Sequence, residues 1–440
     1  MSHGNWRHRH PDIVLHPERH RTVTLKSIRG TKDILPADSA VWQAAEEAIR
    51  RVMMAYNYQE IRTPIFEQTS LFSRSIGELT DIVSKEMYTF LDRSEESLTL
   101  RPEGTAAVIR AYVQNNLGEQ SPLSKLYYVG PMFRQERPQA GRLRQFHQFG
   151  VEALGSSSPQ LDVEIMLIPL EVYRSLGIKE TTLFINSVGC PNCRPIYKKK
   201  LVGELQKIVN KLSPESQARL QQNPLRVLDS KDERDQLATN DVPLMKDFLC
   251  SECAAHFDGV QSALGALKIP FLINGRLVRG LDYYTKTAFE ITSTALGSQD
   301  ALAGGGRYDL LVEELGGKPT PGVGFAAGME RLMMVLQKTG SVQTKQRVPA
   351  VFIIGLDEQS RSWAFVKATR LRSLGIPVEL DYLGRSLKAQ MREANRQEAI
   401  HVLVIGDSEL RSGTARMKNM KTGTEQLIEL EKIEDALRSA

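Results

Sequence analysis

Residues 125–154 read KLYYVGPMFRQ ERPQAGRLR QFHQFGVEAL. The runs 125–135 and 145–154 are strand-like, rich in aromatic and β-branched residues. Between them the basic stretch 136–144 carries Pro138 and Gly141, which turn the first run back onto the second. Two long strands joined this directly pair antiparallel. In the second run Gln148, Gly150 and Glu152 recur at spacing two, so they share one face. The glycine leaves room for a ligand, with an amide and a carboxylate as fixed partners beside it. The same pattern would also suit a polar outer face of a sheet, and the other segments decide between the two.

Outward from this hairpin the chain keeps an antiparallel, α+β character. Ile28-Arg29-Gly30-Thr31-Lys32-Asp33-Ile34-Leu35-Pro36 reads as a docking strand and turn, followed by an amphipathic helix from about Asp38 to Tyr56. A strand at 61–66 contains Pro64, which is tolerated at a sheet edge. Strands are expected at 87–91 and 98–101, a helix at 104–114, and another from Ser158-Pro159 to about Ser175. Residues from about 190 to 268 turn helical and highly charged, an inserted subdomain. The sheet resumes at Phe271 and ends in a strand–helix unit at 322–337. Few βαβ units occur in this large domain, which argues against a Rossmann or P-loop nucleotide site. Gly304-Gly305-Gly306 lacks the spacing and the following helix of a dinucleotide fingerprint. A polar break at 338–346 precedes a last domain, 347–440. There apolar runs at 350–356, 378–380 and 401–405 alternate with helical stretches at 360–373 and 386–396, a small α/β sheet.

A chain of 440 residues is expected to fold as two or three domains. Its 41% hydrophobic and 25% charged content is that of an ordinary globular protein. No apolar run approaches membrane-spanning length and no secretory signal core is visible, so a cytoplasmic protein is expected. A formal net charge of +5 permits a nucleic-acid partner without demanding one. Residues 1–25 scatter His3, His8, His10, His16 and His20 among arginines and prolines, which predicts a mobile tail. The large domain then runs over 26–340.

Leu277-Val278-Arg279-Gly280-Leu281-Asp282-Tyr283-Tyr284-Thr285 delivers an arginine at a strand end and then two tyrosines. A guanidinium fixed there is a permanently charged donor for phosphate or carboxylate, or else half of a buried ion pair. Adjacent tyrosines on a strand point to opposite faces, so one of Tyr283 and Tyr284 is expected to line a pocket. Arg134 ends the first hairpin strand, Arg137, Arg142 and Arg144 lie in its loop, and Arg331 follows Gly328-Met329-Glu330 at a helix start, where dipole and guanidinium would add. Glu103-Gly104-Thr105 supplies a carboxylate and a hydroxyl at a strand-to-helix turn. The four cysteines fall in two C-x-x-C pairs, Cys190/Cys193 and Cys250/Cys253. They read as a structural zinc site or as four reduced thiols, and nothing suggests a catalytic role.

At these residues the chain resembles the class II aminoacyl-tRNA synthetases, and among them the histidyl-tRNA synthetases, over nearly everything after residue 25. Pro64 in its helix–strand context resembles the first class motif, Phe133-Arg134-Gln135-Glu136 through Glu152 the second, and Gly322 through Glu330-Arg331-Leu332 the third. Segments 277–284 and 303–308 resemble the two histidine-specific signatures. The resemblance implies an antiparallel class II sheet, a C-terminal anticodon-binding domain and a homodimer built on the first motif. It implies ATP as substrate with Mg2+, activation of L-histidine to histidyl-adenylate, and transfer to tRNA(His). Arg134 and Arg331 would hold the α- and γ-phosphates, Arg142 would join them on ATP, and Arg279 would sit by the reacting carboxylate. Glu152 and Tyr284 would read the imidazole, aided by Tyr283 and Tyr308, and Glu103, Gly104, Thr105 and Gln148 would meet the α-amino group. Arg137, Arg142 and Arg144 would face the tRNA acceptor end. Two other readings stand beside this one: a non-catalytic regulatory relative, and a class II synthetase for another amino acid. The regulatory relative typically lacks the catalytic arginine segment and the anticodon-binding domain, both of which this chain carries, and segments 277–284 and 303–308 argue against a synthetase for another amino acid.

Overall fold

The computed structural model describes residues 25–77, 80, 82–139, 141–278, 281, 283–297, 301–341 and 348–438. It divides into two compact units that part between residues 343 and 344. The larger is built on eight strands: β1 (Gln59–Glu60), β2 (Ser124–Phe133), β3 (Gln145–Leu154), β4 (Thr182–Ser187), β5 (Leu272–Ile273), β6 (Thr285–Thr292), β7 (Ala301–Arg307) and β8 (Gly322–Gly328). Their order across the sheet is β1-β2-β3-β8-β7-β6-β4-β5. The pairs from β2 across to β4 are all antiparallel, and only the outermost pairs, β1 with β2 and β4 with β5, are parallel.

Alternation divides the sheet into two faces. Phe149, Val151, Phe325, Ala303, Phe289, Ile291 and Ile185 project into one continuous core. Helices α1 (Pro36–Ala55), α3 (Pro159–Ser175), α5 (Ser251–Ala266) and α6 (Met329–Thr339) cover it. The opposite face carries Gln148, Gly150 and Glu152 of β3, which register against Gly328, Ala326 and Gly324 of β8. Gly304 and Gly306 of β7 continue that row. Side chains this small leave the face open as a floor. Helix α2 (Thr105–Gln114) packs with Tyr283, Tyr284, Tyr308 and Leu311 in a separate cluster.

Two local expectations are corrected. Residues 61–64 are irregular, and the strand begins at Phe66 in a small sheet with Tyr88–Leu91 and Ser97–Leu100. The guanidinium of buried Arg101 collects the carbonyls of Thr63 and Pro131 instead of a ladder doing so. At 28–35 only a turn at Arg29–Gly30 forms, with no strand.

Between β4 and β5 lies a helical insertion with its own core, including Tyr197, Leu201, Leu205 and Met245. Its first helix is α4 (Arg194–Lys207), and α5 returns the chain to the sheet. The smaller unit has five strands, β9 (Val351–Gly355), β10 (Val378–Leu380), β11 (His401–Ile405), β12 (Thr414–Asn419) and β13 (Glu425–Glu429). They order as β10-β9-β11-β12-β13, with helices α7 (Glu358–Ser373) and α8 (Leu387–Arg396) in the connections. The expected α/β alternation therefore continues into an antiparallel pair, β12 and β13, that had no apolar run to announce it.

Candidate active site

Glu152 is fully buried at the glycine floor. Thr105 Oγ1 donates to its Oε1 at 2.7 Å, and the Tyr308 hydroxyl donates to its Oε2. The carboxylate fits because Gly324 lies opposite: a Cβ there would stand 2.0 Å from Oε2. Burial pushes Glu152 up to about 8, against the lowering effect of the Tyr308 and Thr105 hydroxyls. Both of its hydrogen-bond partners among the described residues are neutral, so they offset only part of the cost of ionising it.

Thr105 is placed by Glu103. The Glu103 carboxylate accepts the backbone N–H groups of Thr105 (2.6 Å) and Ala106 (2.9 Å), satisfying the open first turn of α2. Burial nonetheless raises its pKa. Gly104 between them lies under the Tyr128 ring, and a Cβ there would meet that ring at 2.4 Å. Tyr128, which no sequence pattern singled out, sits across from Gly150 in the β2–β3 register. Its hydroxyl reaches toward Glu152 and Thr105 without a well-aligned hydrogen bond to either.

A cavity of about 450 Å³ opens over this floor. Glu103, Thr105, Gln148, Tyr283, Tyr284 and Tyr308 border it together with Arg134, Arg142 and Arg331. Arg134 donates to the Pro102 carbonyl at 2.9 Å and lies over the Phe146 ring. Arg331 is anchored to the Ala301 carbonyl at 2.7 Å. Burial, and then the charge of Arg142, lower the pKa of Arg331. Glu136 stands between Arg142 (3.3 Å) and Arg134 (3.7 Å). Gln148 Oε1 is buried and has no hydrogen-bond partner among the described residues.

Tyr283 and Tyr284 both border the cavity, contrary to the expectation of one. They precede β6 rather than belong to it, so strand alternation does not separate them. Their rings lie 4.7 Å apart, and Tyr283 meets Tyr308 edge-on. Arg279, with Gly280 and Asp282, lies outside the described residues, as does the tail over 1–24. In the hairpin loop Arg137 and Arg142 are exposed. Arg144 turns away: its aliphatic carbons lie against Gly30, whose carbonyl accepts the Arg144 N–H at 2.6 Å. Arg219 and Arg226 of the insertion also border the cavity, and no motif pointed to them.

The four cysteines converge. Their sulfurs all lie within 4.8 Å of one another. Cys190 is 3.6 Å from Cys193 and 3.9 Å from Cys250, too far for a disulfide. The backbone N–H of Cys253, followed by the Cys193 side chain, lowers the Cys250 thiol to about 7.

Residues 30–332 match the family model described as histidyl-tRNA synthetase, and residues 344–440 match the anticodon binding domain. Sheet and floor are thus those of a class II aminoacyl-tRNA synthetase, an enzyme. A histidine–tRNA ligase of Halothermothrix orenii is 50% identical over 91% of this chain and 96% of its own. One from Desulfitobacterium hafniense is 48% identical over 94% and 98%. The crystal structure of apo S. aureus histidyl-tRNA synthetase superposes with a TM-score of 0.80 at 39% identity, covering 94% of this chain and all of that one. The chain belongs to the histidyl-tRNA synthetase family.

Proposed function

We propose that the cavity joins L-histidine to ATP and that the chain then charges tRNA(His), as a histidine–tRNA ligase. A carboxylate oxygen of histidine attacks the α-phosphorus, pyrophosphate leaves, and histidyl-adenylate remains. A hydroxyl of the terminal tRNA ribose then attacks the acyl carbon, and AMP leaves. In-line displacement needs orientation and neutralised charge more than an enzyme nucleophile, which suits a pocket of arginines. Magnesium arrives with the nucleotide as MgATP.

The observation that carries this reading is the polarity of β3. Glu152 and Gln148 are four residues apart, about 13 Å along a strand. The buried carboxylate marks one end, and Arg134 and Arg331 lie toward the other. Histidine placed with its imidazole at Glu152 directs its carboxylate toward the arginines. Imidazole carries one donor and one acceptor, which a carboxyl group and a tyrosine hydroxyl satisfy. Glu152 with Tyr284 takes that role, and Tyr283 and Tyr308 wall the ring. Gln148 Oε1, without a partner among the described residues, supports a contact with the α-ammonium. Glu103 and Thr105 are engaged in the first turn of α2 and act on the same group by position. Arg134 takes the α-phosphate, Arg331 the γ-phosphate, and Arg142 joins on ATP; the resemblance assigns Arg279 to the reacting carboxylate. Pyrophosphate exchange into ATP, with each amino acid offered in turn, tests this. Exchange with histidine alone is expected; none at all would favour a regulatory relative.

The domains divide the work as 26–340 for catalysis and 347–440 for the anticodon. Exposed Arg137 and Arg142 suit the acceptor end, whereas Arg144 shapes the loop. Lys388 and Arg392, exposed on α8, suit a phosphate backbone, and Arg396 on the same helix pairs with Glu393. Truncation after residue 340 should remove a salt-dependent part of tRNA affinity. Exposed Ile65, Phe66, Phe90 and Leu91 on or beside the small sheet support a homodimer, which the mass in solution checks. Four clustered thiols support one zinc ion and a reducing, cytoplasmic setting. Among the described residues no helix is long and apolar enough to cross a membrane.

A further inference from the structure

The cysteine cluster lies at the root of the insertion, where the chain leaves the sheet after β4 and returns through α5. Two C-x-x-C turns from opposite ends of the insertion bring four sulfurs together there. A tetrahedral zinc–thiolate site with bonds of about 2.3 Å requires sulfur separations of about 3.8 Å. The separations of 3.6 and 3.9 Å straddle that value. The Cys250 N–H also donates to Cys193 Sγ at 3.1 Å, the kind of outer-shell hydrogen bond that stabilises a thiolate.

The residues next to these cysteines reach the wall of the cavity. Arg194, adjacent to Cys193, donates to the Val188 carbonyl at 3.2 Å and to the backbone carbonyl of Tyr284. Two residues on, Lys286 sits at φ +49, a left-handed conformation costly for a side-chain-bearing residue. Its backbone is held on both sides by the loop leading to Cys190: Val188 N–H to Lys286 O at 2.7 Å, and Lys286 N–H to Gly189 O at 2.9 Å. Its ammonium meets Glu252, which stands between Cys250 and Cys253, at 2.8 Å, and Asp309 at 3.5 Å. Asp309 in turn pairs at 2.9 Å with Arg307, the residue before Tyr308. Both signature segments that border the cavity are therefore tied to the cysteine turns.

We propose that Cys190, Cys193, Cys250 and Cys253 bind one zinc ion, and that this ion, through Arg194 and Glu252, clamps Tyr283-Tyr284 in the shape that receives histidine. The clamp rests on the reading of the cavity as a histidine site. Arg194 and Glu252 are positioning residues, distant from any reacting atom.

The test uses the full chain purified without added chelator. Elemental analysis should find one zinc per chain, and replacement by cobalt should give the visible absorption of a tetrahedral thiolate site. Neither signal appearing, with zinc supplied during expression, would overturn the site. Arg194→Ala should keep its zinc while the histidine KM in pyrophosphate exchange rises about tenfold, the scale of one lost hydrogen bond, and the ATP KM stays put. Arg194→Lys, which keeps the charge but not the fork, should recover only part. Stripping zinc from the unaltered chain should weaken histidine binding by calorimetry, and returning zinc should restore it. Histidine affinity unchanged by both Arg194→Ala and zinc removal would overturn the clamp while leaving the site standing. If the unaltered chain shows no exchange with histidine, the cavity reading and the clamp both fall, and the zinc count still judges the site.

Discussion

Two carboxylates of the large unit are equally buried and behave in opposite ways. Asp162, on α3 behind the sheet, accepts from Arg307 and from His256 Nε2 at 2.7 Å. Burial alone would raise its pKa, but the His256 hydrogen bond and the Arg307 charge outweigh it and hold Asp162 below its ordinary value. Glu152, on the floor, has only hydroxyl partners among the described residues and rises to about 8. The Asp162 site is closed: every charge in it is answered within the protein. The Glu152 site is open by contrast: its hydrogen-bond partners among the described residues carry no counter-charge, and a perturbed carboxyl at the floor of the cavity suits the proposed histidine site.

Breaking the closed site should have the larger effect. Asp162→Asn leaves the guanidinium of Arg307, fully buried, without its principal counter-charge, and such losses cost about 3–5 kcal/mol. Denaturant unfolding should show that drop, and adding Arg307→Met should recover much of it. A loss below about 1 kcal/mol would mean that the network is solvated and the contrast with Glu152 is unfounded. Next in size, Glu152→Gln keeps shape and burial but changes what the imidazole meets. Histidine activation should fall about a hundredfold, near 2.7 kcal/mol, with little change in ATP KM. A normal histidine KM in that variant would remove Glu152 from the recognition role.

The same substitution separates the two carboxylates by pH. Folded Glu152 keeps its proton up to about 8, whereas the unfolded side chain releases it near 4.5. The native state binds more protons across that window, so its stability declines as pH rises through it. Asp162, depressed when folded, behaves the other way: its contribution is present above its unfolded value near 3.8 and is lost as pH falls below it. Relative to Glu152→Gln, the unaltered chain should therefore lose stability progressively from about pH 5 to 8. Parallel unfolding curves for the two proteins across that range would show that Glu152 ionises freely.

The open site was the more legible of the two in the sequence, because it rests on local periodicity. Spacing two placed Gln148, Gly150 and Glu152 on one face, and the hairpin that carries them formed as expected. Arginines at element ends marked the cavity for a similar reason. Tyr128 went unnoticed although it was within reach, since pairing the hairpin residue by residue sets it opposite Gly150. The second tyrosine of the 283–284 step was misjudged because a turn, not a strand, precedes Thr285. Arg144 turned toward Gly30 through a contact that no local pattern encodes. The closed site left no trace: Asp162, His256 and Arg307 come from three elements, and only the assembled core brings them together.

The smallest effect tests whether the neutral partners of Glu152 tune it or only fill space. Tyr308 donates to Glu152 Oε2 and stacks edge-on with Tyr283. Tyr308→Phe keeps the ring and removes the donor. One hydroxyl hydrogen bond to a buried acceptor is worth about 1 kcal/mol, so the histidine KM should rise roughly fivefold. That hydroxyl is the first of the groups opposing burial in holding Glu152 down, and its loss should move the Glu152 titration to higher pH. The pH at which histidine activation changes should move upward with it. A fivefold rise in KM with no movement of the pH profile would assign Tyr308 to packing and leave Thr105 as the group that sets Glu152.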